Sequence, residues 1–329
     1  MNTESRPGAG TVLVLTEPGD TAAGLVVAEL HRLGERTLWL DPGDFPLAVE
    51  VSAYFDDDGG WSGEIRGPDG SASLRDVRGV YVRRPSSFVF PAQMTDAARR
   101  YAEREARRGF VGLLLTLDST WVNHPARVAD AEYKPVQYAV AAECGLAVPR
   151  TVVTNAPRAA AAHRAHLGPA RVHKTLASPT VVDGDKLAHV FTTPAADADV
   201  GDAGVALTAH QFQQRVPKTR DVRAIVVGDR VFAANIHGDQ LDWRADYDAL
   251  SYEPTTLPPA TEAGLLRMTA RLGISFAAAD FAVDAKERHW FLDLNPNGQW
   301  DWIQDATGLP IAAAIAAELT ADRGPRPVG

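Results

Sequence analysis

The pattern of apolar and polar positions at the start of the chain is typical of a β-α-β unit. Residues 11–15 (TVLVL) form a short apolar run that predicts a strand. Residues 22–33 carry apolar side chains at helical spacing and are followed by a glycine, which often ends a helix. Residues 37–40 predict the next strand. Residues 55–76, rich in Gly and Asp, predict a loop or hairpin excursion before a further strand at residues 79–83.

The middle of the chain alternates between helical and strand-like patterns. A long amphipathic helix is predicted at residues 95–117, with Thr95 or Asp96 as its N-cap, and a second helix at residues 131–144. The following segments are shorter. Strands are predicted at residues 151–154, 171–175 and 187–192, a helix at residues 157–166, and an exposed loop at residues 195–204.

The final third of the chain is richer in strand patterns. Residues 222–227 and 230–236 flank Gly228-Asp229, a pair of residues that favours a hairpin turn. Two more strands are predicted at residues 274–283 and 289–295. Helices are expected at residues 261–272 and 311–319, and residues 241–259 show no regular pattern.

Composition excludes several classes of function. The net charge of −9 argues against a general nucleic-acid binder, which needs a basic surface. Cys144 is the single cysteine, so neither an internal disulfide nor a thiolate metal cluster can form. The start of the chain does not resemble a secretory signal, and no apolar run approaches the ~20 residues that span a bilayer. We therefore expect a soluble cytoplasmic protein that does not bind membranes.

One segment is basic in spite of the acidic total. Between positions 82 and 108 the chain has seven arginines, Arg83 and Arg84 among them, against three acids. A solvated helix face would explain this excess, and so would a surface that attracts an acidic peptide or a carboxylate.

The hairpin predicted near the C-terminus brings acidic side chains together. Asp280 lies among apolar neighbours in the first strand. In the second strand Phe291, Asp293 and Asn295 share one face, because side chains alternate along a strand. If the connecting loop is symmetric about its middle residues, Lys286-Glu287, then Asp280 and Asp293 lie directly opposite each other.

Two opposed carboxylates repel each other unless a proton or a cation intervenes. With the amide oxygen of Asn295 beside them, Asp280 and Asp293 suit Mg²⁺, which takes few protein oxygens and keeps positions for water and phosphate. The alternative is a strand that ends in an Asn-Pro-Asn-Gly turn with its acids at the solvent edge. The opposed position of Asp280 favours the metal site.

Basic residues also stand in apolar surroundings. Arg223 interrupts a strand that is otherwise apolar on both faces, which is costly unless the charge finds a partner. Arg223 either forms a structural ion pair, for example with Asp221 or Asp280, or neutralises a transferred phosphoryl group or a developing oxyanion. Lys174 ends a strand and Lys134 opens a helix, where a bound anion would suit the helix dipole. Together with Mg²⁺, these residues form a phosphate-binding set.

The order of these residues resembles that of the ATP-grasp superfamily. The matching positions are Lys134, Lys174, the strand at residues 213–216, Asp221-Val222-Arg223, Ala279-Asp280-Phe281 and Asp293-Leu294-Asn295. Two features depart from the usual pattern. Asp293 stands where most members have Glu, and the Gly-rich phosphate loop is reduced, with Gly184 as the main candidate.

Four segments narrow the resemblance: VYVRRP at 80–85, the stretch from WVNHP through residue 155, DWR at 242–244, and LNPNGQW at 294–300. They are similar to the ATP-grasp maturases of ribosomal peptides, the graspetide or microviridin-type synthetases, and most of all to the actinobacterial branch. The resemblance implies an α/β (α+β) ATP-grasp fold in three parts. These are a pre-ATP-grasp βαβ domain at residues 1–125, a small central subdomain at 126–210, and a C-terminal antiparallel-sheet subdomain with the metal site at 211–329.

The resemblance also implies an activity. ATP would phosphorylate an Asp or Glu side chain of a precursor peptide, which has a leader and a core. A Thr or Ser hydroxyl, or a Lys amine, of the same peptide would then close an ω-ester or ω-amide ring. The family suggests a homodimer. The alternatives are a ligase that adds free amino acids to a peptide or protein, like the glutamate ligases that modify ribosomal proteins, and a non-catalytic ATP-binding regulatory protein.

Residue roles follow from the same resemblance. Lys134 and Lys174 would hold the ATP phosphates, Gln214 and the backbone of Val216 would flank the adenine, and Lys218 is a further basic candidate. Asp280, Asp293 and Asn295 would bind Mg²⁺, Arg223 would steady the phosphoryl group, and Arg244 would assist it or orient the substrate carboxylate. On charge alone, Arg83 and Arg84 are expected to contact the peptide.

Overall fold

The computed structural model describes residues 10–57, 59–177, 180–183 and 186–321. Gly184, the candidate for the phosphate loop, lies outside the described residues. No helix in the described ranges combines the length and the apolar character needed to cross a membrane.

The N-terminal part contains a parallel sheet and a separate antiparallel sheet. Its strands are β1 (Thr11–Leu15), β2 (Arg36–Leu40), β3 (Glu50–Phe55), β4 (Trp61–Gly67), β5 (Gly70–Ser73), β6 (Val77–Val82) and β7 (Thr120–Val122). Its helices are α1 (Thr21–Arg32), α2 (Asp96–Ala106) and α3 (Gly112–Leu114). The parallel sheet has the strand order β2-β1-β6-β7, which confirms the predicted β-α-β start. The excursion predicted at residues 55–76 is more regular than expected, because β4 and β5 pair with β3.

The long helix predicted at residues 95–117 is present but interrupted. The Thr95 side chain caps α2 by accepting a hydrogen bond of 3.2 Å from the Ala98 amide, as the sequence predicts. Between α2 and α3, Arg107–Val111 form a π-helical segment. Phe110 of this segment is buried in the core between the two N-terminal sheets, so the segment is anchored at the point where the helix changes its winding.

The central part holds a small antiparallel sheet. Its helices are α4 (Pro125–Ala131), α5 (Lys134–Glu143), α6 (Pro157–Ala162), α7 (Arg164–Leu167) and α8 (Asp197–Val200). Its strands are β8 (Thr151–Thr154), β9 (Arg171–Lys174), β10 (Thr180–Asp183), β11 (Lys186–His189), β12 (Thr193–Pro194) and β13 (His210–Gln214). The sheet order is β12-β9-β13-β8, and β10 pairs with β11 as a hairpin.

Two predictions for this part need correction. The helix expected at residues 131–144 is α5, which begins three residues later, at Lys134, and the preceding helix α4, which ends at Ala131, was not predicted. Pro135 follows Lys134 in the first turn of α5, where the fixed backbone angle of proline suits a helix start. The loop expected at residues 195–204 contains α8, whose Val200 is fully buried.

The C-terminal part is built on a five-stranded antiparallel sheet with the order β16-β15-β14-β17-β18. The strands are β14 (Lys218–Val227), β15 (Arg230–His237), β16 (Ser251–Thr255), β17 (Phe276–Asp284) and β18 (His289–Asn295), and the helices are α9 (Pro259–Leu272), α10 (Asp301–Thr307) and α11 (Ile311–Thr320). Val227 pairs with Arg230 across Gly228, whose φ is +61°, so the predicted hairpin is confirmed. The sequence patterns did not reveal β16 and α10.

This sheet is covered on both faces, which explains the apolar character of β14. On one face, Val222 and Ala224 pack in a core with residues of α5 and α9. On the other face, Ile225 and Val227 join a core formed by α11, α1 and the parallel sheet. The C-terminal sheet is therefore fixed between the other parts of the chain. The division at residues 1–125, 126–210 and 211–329 stays a prediction.

Candidate active site

Strands β17 and β18 place Asp280 directly opposite Asp293, as predicted. The connecting loop is not symmetric in the way the prediction assumed, because Val283 pairs with His289 and Phe281 with Phe291. A β-bulge between Asp280 and Phe281 adds one residue on β18 and restores the opposition of the two acids.

The bulge also changes which side chains share a face of β18. Phe291 was expected on the same face as Asp293, and this is wrong. Phe291 is fully buried beside Leu294 in the core under α5 and α9, while Asp293 and Asn295 line a cleft on the opposite side. The extra residue, Leu292, turns the strand so that its apolar and polar side chains are separated.

Arg223, Asp280 and Asp293 form a row across three neighbouring strands. The Arg223 Nη1 atom donates to Asp280 Oδ1 at 2.8 Å, and both side chains are almost fully buried. Arg244 donates to the other oxygen, Asp280 Oδ2. The ion pair considered for Arg223 from the sequence is therefore present, and one carboxylate is shared by two guanidinium groups.

Asp293 lies between two lysines. Lys134, the first residue of α5, donates to Asp293 Oδ1, and the Lys174 Nζ atom lies 3.3 Å from the carbonyl oxygen of Leu292. Burial would raise the pKa of Asp293, but Lys134 and Lys174 outweigh it and hold the pKa at about 2. Burial lowers the pKa of Lys174 to about 8, against the attraction of Asp293. Asp293 is therefore ionised at neutral pH.

Two buried amides that sequence reasoning missed hold the strands of the site. The Asn123 side chain donates to the carbonyl oxygens of Phe276 and Pro296, at 2.7 Å each, and accepts from the Ser275 and Phe276 amides. Gln137 of α5 makes two hydrogen bonds to the backbone of Leu294. A lone amide side chain in an apolar helix or strand is the signal that could have marked both residues. Asn123 also joins the WVNHP and LNPNGQW segments.

Arg83 lies behind the turn that follows β18. Its Nη1 atom donates to the carbonyl oxygens of Asn297 and Gly298, at 3.2 and 3.4 Å, and its Nη2 atom to the side chain of Gln299. The Arg83 side chain is only 2% exposed, so it offers no surface to a peptide. Arg84 is exposed and lines the cleft, and its contact with a peptide stays a prediction.

Arg244 is held by its own loop. Its Nη1 atom lies 3.2 Å from Asp242 Oδ1, and its guanidinium carbon lies 4.7 Å from the centroid of the Trp243 ring. Trp243 in turn packs against Trp302 of α10. Burial would lower the pKa of Arg244, but Asp280 and Asp242 raise it well above its ordinary value. The arginine stays charged and reaches Asp280 from the side of the cleft.

The connection between the central and C-terminal sheets carries the residues expected near adenine. Gln214 ends β13, and its Oε1 atom accepts a hydrogen bond of 3.0 Å from Arg150. Val216 follows it in the connection and is partly exposed. Lys218 opens β14, where it pairs with Asp221 and donates to the Leu241 carbonyl oxygen at 2.9 Å. Burial raises the pKa of Asp221 to about 6 in spite of Lys218.

A cleft of about 910 Å³ between the central and C-terminal sheets brings most of these residues together. The predicted site residues on its lining are Arg84, Lys134, Lys174, Gln214, Val216, Lys218, Arg244, Asp280, Asp293 and Asn295. The side chains of Arg83 and Arg223 lie buried behind it. The C-terminal sheet therefore supplies the acids of the cleft, and the central sheet, with its connection to β14, supplies the residues expected to contact a nucleotide.

The donor set of this cleft fits Mg²⁺. Asp280, Asp293 and Asn295 offer two carboxylates and an amide oxygen, the hard ligands that Mg²⁺ prefers. No group of three or more His, Cys, Asp or Glu side chains that could hold a metal occurs within the described ranges. A Mg²⁺ ion held by so few protein oxygens would keep positions for water and phosphate. In the structure, Arg223 and Arg244 pair with Asp280, and Lys134 pairs with Asp293.

Comparison with known proteins agrees with the fold described above. Residues 11–129 match the family model described as the MvdD pre-ATP grasp domain. The structure is similar to the macrocyclase MdnC of Microcystis aeruginosa MRC, crystallised with the precursor peptide MdnA, with a TM-score of 0.82 and 28% identity over 94% of this chain and 99% of that one. The chain has an ATP-grasp fold with an MvdD-type pre-ATP-grasp domain.

Further structures share this ATP-grasp fold. The RiPP-associated ATP-grasp ligase of Chryseobacterium gregarium, in complex with ADP and a leader and core peptide, has a TM-score of 0.87 and 24% identity over 96% of this chain and 98% of that one. The ATP-grasp ligase PsnB, complexed with minimal precursor, Mg and ADP, has a TM-score of 0.73 and 22% identity over 97% of this chain and all of that one. No curated protein sequence matches the chain. The resemblance to ATP-grasp peptide maturases is confirmed, and the actinobacterial branch stays a prediction.

Proposed function

We propose that this protein is an ATP-dependent ligase that closes rings within a ribosomally made precursor peptide. The observation that carries the proposal is the meeting of Arg223, Arg244, Lys134 and Lys174 around two opposed carboxylates at one cleft. Such a set suits the transfer of a phosphoryl group, which is catalysed mainly by positioning and by neutralising charge. That MdnC was crystallised with its precursor peptide supports a peptide substrate.

ATP would lie in the cleft with its phosphates toward Lys134 and Lys174 and its adenine near Gln214 and the backbone of Val216. Lys218 would add positive charge at the same end. Asp280, Asp293 and Asn295 would hold Mg²⁺. When bound, Mg²⁺ would neutralise phosphate oxygens and make the terminal phosphorus more electrophilic.

The reaction would proceed in two steps. An Asp or Glu carboxylate of the peptide attacks the terminal phosphorus, the bond to the ADP oxygen breaks, and an acyl phosphate forms. A Thr or Ser hydroxyl, or a Lys amine, of the same peptide then attacks the acyl carbon. The carbon–oxygen bond to phosphate breaks, the proton of the nucleophile leaves with the phosphate or solvent, and an ω-ester or ω-amide closes the ring. ATP thus becomes ADP and phosphate, and the peptide loses one water.

The protein's own cations would stabilise charge in both steps. Arg223 lies buried behind the cleft, bound to Asp280, and from there its positive charge would steady the negative charge that develops on the transferring group. Arg244 is the more exposed of the two, with 32% of its side chain accessible, and would also orient the substrate carboxylate. Arg84 would meet acidic groups of the peptide at the cleft. We further propose that the enzyme works as a homodimer, which light scattering of the purified protein would test.

Intact mass spectrometry tests the reaction. A precursor peptide encoded beside this protein's gene is incubated with the protein, ATP and Mg²⁺. The expected result is the loss of one water mass per ring, dependent on ATP. A gain in mass by whole residues would favour a ligase that adds amino acids. Binding of ATP without turnover would favour a non-catalytic regulatory protein.

A further inference from the structure

Arg83 connects the N-terminal sheet to the turn that follows the strand of Asp293. It directly follows β6, and its guanidinium reaches the carbonyl oxygens of Asn297 and Gly298 and the side chain of Gln299. We refer to residues 297–299 as the site turn. Because the Arg83 side chain is only 2% exposed, these contacts form inside the protein and are shielded from solvent.

The site turn in turn contacts Arg223. The Gln299 carbonyl oxygen accepts a hydrogen bond of 3.1 Å from Arg223 Nη2, while Arg223 Nη1 is bound to Asp280. Gly298 packs so tightly that a Cβ atom there would lie 2.7 Å from Arg223 Nη2 and 2.4 Å from Ala278 Cβ. The direction of the Arg223 guanidinium therefore depends on where the site turn lies.

The N-terminal part holds Arg83 itself in place. The Arg83 Nε atom lies 3.5 Å from Asp20 Oδ2, and Asp20 accepts hydrogen bonds from the Thr16 hydroxyl and the Ala23 amide, at 2.9 and 3.0 Å. These contacts fix the carboxylate of Asp20 at the start of α1. A continuous line of contacts thus leads from Asp20 through Arg83 and the site turn to Arg223.

From this line we propose that Arg83 is a positioning residue for Arg223, through which the pre-ATP-grasp domain sets the geometry of phosphoryl transfer. The inference deepens the proposed function and rests on it. A guanidinium has a planar fork of donors and reaches several acceptors at once, whereas the ammonium of lysine is a single point of charge. Arg83→Lys keeps the charge but cannot hold both carbonyl oxygens and the Gln299 side chain together.

Arg78 of β6 provides a matched control. It also crosses from the N-terminal sheet to a C-terminal carbonyl oxygen, with Nη2 lying 2.5 Å from the oxygen of Thr320, and its Nη1 atom lies 3.1 Å from Glu35. Neither of these contacts involves the site turn. Arg78→Lys therefore makes the same chemical change at the same interface without touching the line to Arg223.

The experiment compares Arg83→Lys and Arg78→Lys in ATP turnover and in amide hydrogen exchange. For Arg83→Lys we expect kcat to fall by about tenfold with KM for ATP within about twofold of wild type, since the nucleotide contacts remain. We also expect faster exchange at the Asn297 and Gly298 amides, which bond to Asn295 at 2.8 and 3.3 Å. Arg78→Lys should change neither the turnover nor this exchange.

Three results would overturn the inference: wild-type kcat in Arg83→Lys, unchanged exchange at the site turn, or an equal effect of Arg78→Lys, which would indicate a general loosening of the interface. If Arg83→Lys does not fold, Gln299→Ala, which removes one acceptor of the fork, should lower kcat with the same unchanged KM, and full activity there would count against the proposal. If the wild-type protein closes no ring, the proposed function is wrong. The hydrogen-exchange comparison would still test whether Arg83 holds the site turn in place.

Discussion

The two walls of the cleft differ in how their polar side chains are held. The C-terminal wall, formed by β14, β17 and β18, carries Arg223, Asp280 and Asp293 in strand register over a core that includes Phe281 and Phe291. The central wall, formed by β9, β13 and residues 214–216, lies over a small core made largely of Ala and Val side chains. On the C-terminal wall, charged groups are therefore held in place by the pairing of the strands. On the central wall, polar groups lie on strands that pack over a much smaller hydrophobic core.

This difference assigns separate tasks to the two walls. A group that stabilises developing charge acts best when its position is set before the reaction, because no reorganisation is then needed. A wall that must admit and release a nucleotide benefits from a low cost of movement. We infer that the C-terminal wall governs the chemical step and that the central wall governs nucleotide affinity. Substitutions on the two walls should thus affect different kinetic constants.

The largest effect is expected from Asp280→Asn on the C-terminal wall. It removes a carboxylate oxygen from the proposed metal site and leaves Arg223 and Arg244 without their shared partner. ATP turnover should fall by at least about a hundredfold. Because the pair with Arg223 is buried, the free energy of unfolding should also drop by about 3 kcal/mol, measured by urea denaturation.

An exposed ion pair between β14 and the loop that joins β17 to β18 provides the control for Asp280→Asn. Arg220 on β14 holds Glu287 through two hydrogen bonds of 2.9 and 2.6 Å, but Glu287 is largely exposed. Glu287→Gln should leave both turnover and stability almost unchanged, because exposed pairs are screened by solvent. Equal losses in the two variants would contradict the special position of Asp280.

Gly298→Ala should have the next largest effect, without removing any charge. The new methyl group would collide with Ala278 and with the Arg223 guanidinium, so Arg223 must shift. Since a displacement of about 1 Å in an active site can cost a hundredfold in rate, we expect a fall in kcat of about tenfold to a hundredfold. Steady-state kinetics with saturating ATP would measure it.

Gly24→Ala, near the start of α1, is the control for the backbone change at Gly298. Its added methyl group has nothing within 4 Å, and alanine favours a helix more than glycine does. The variant should keep full activity and gain about 0.5–1 kcal/mol in the free energy of unfolding. If Gly298→Ala were also fully active, the position of the site turn would not control Arg223.

A third substitution separates stability from chemistry on the C-terminal wall. Asn123→Asp keeps the oxygen that accepts from Ser275 and Phe276 but loses the donor to the carbonyl oxygens of Phe276 and Pro296. A buried acceptor left without a donor costs about 1–3 kcal/mol, and a buried carboxylate that faces two carbonyl oxygens costs more, so the urea midpoint should fall clearly. Activity measured well below that midpoint should fall less than in Gly298→Ala. An unchanged midpoint would show that the amide donor is dispensable.

The sequence predicted the acids of the C-terminal wall because they belong to one hairpin. Local alternation and the length of a short loop suffice to bring Asp280 and Asp293 together. The prediction reached the right pairing through a symmetric loop that the structure does not have, and the bulge at Leu292 compensates for the difference. A bulge leaves no clear mark in a single sequence, so the face of Phe291 could not be deduced.

The contacts that fix this hairpin from outside could not be predicted in the same way. Asn123 meets Phe276 and Pro296, and Arg83 meets the site turn, across more than 150 positions of the chain. Alternation and capping describe neighbours along the chain and contain no information about such distant partners. Charge alone suggested a peptide contact for Arg83, whereas its burial shows a contact inside the protein. The resemblance to ATP-grasp maturases supplied the overall fold, which local patterns did not.

The smallest effect is expected from Gln214→Ala on the central wall. Gln214 lines the cleft, and the loss of one hydrogen bond to a nucleotide should raise KM for ATP by about threefold, with kcat unchanged. Arg150→Ala removes the group that orients Gln214 and, since Arg150 does not itself line the cleft, should raise KM less. A fall in kcat with constant KM in Gln214→Ala would mean that the central wall also takes part in the chemical step, and the division of tasks between the walls would then be wrong.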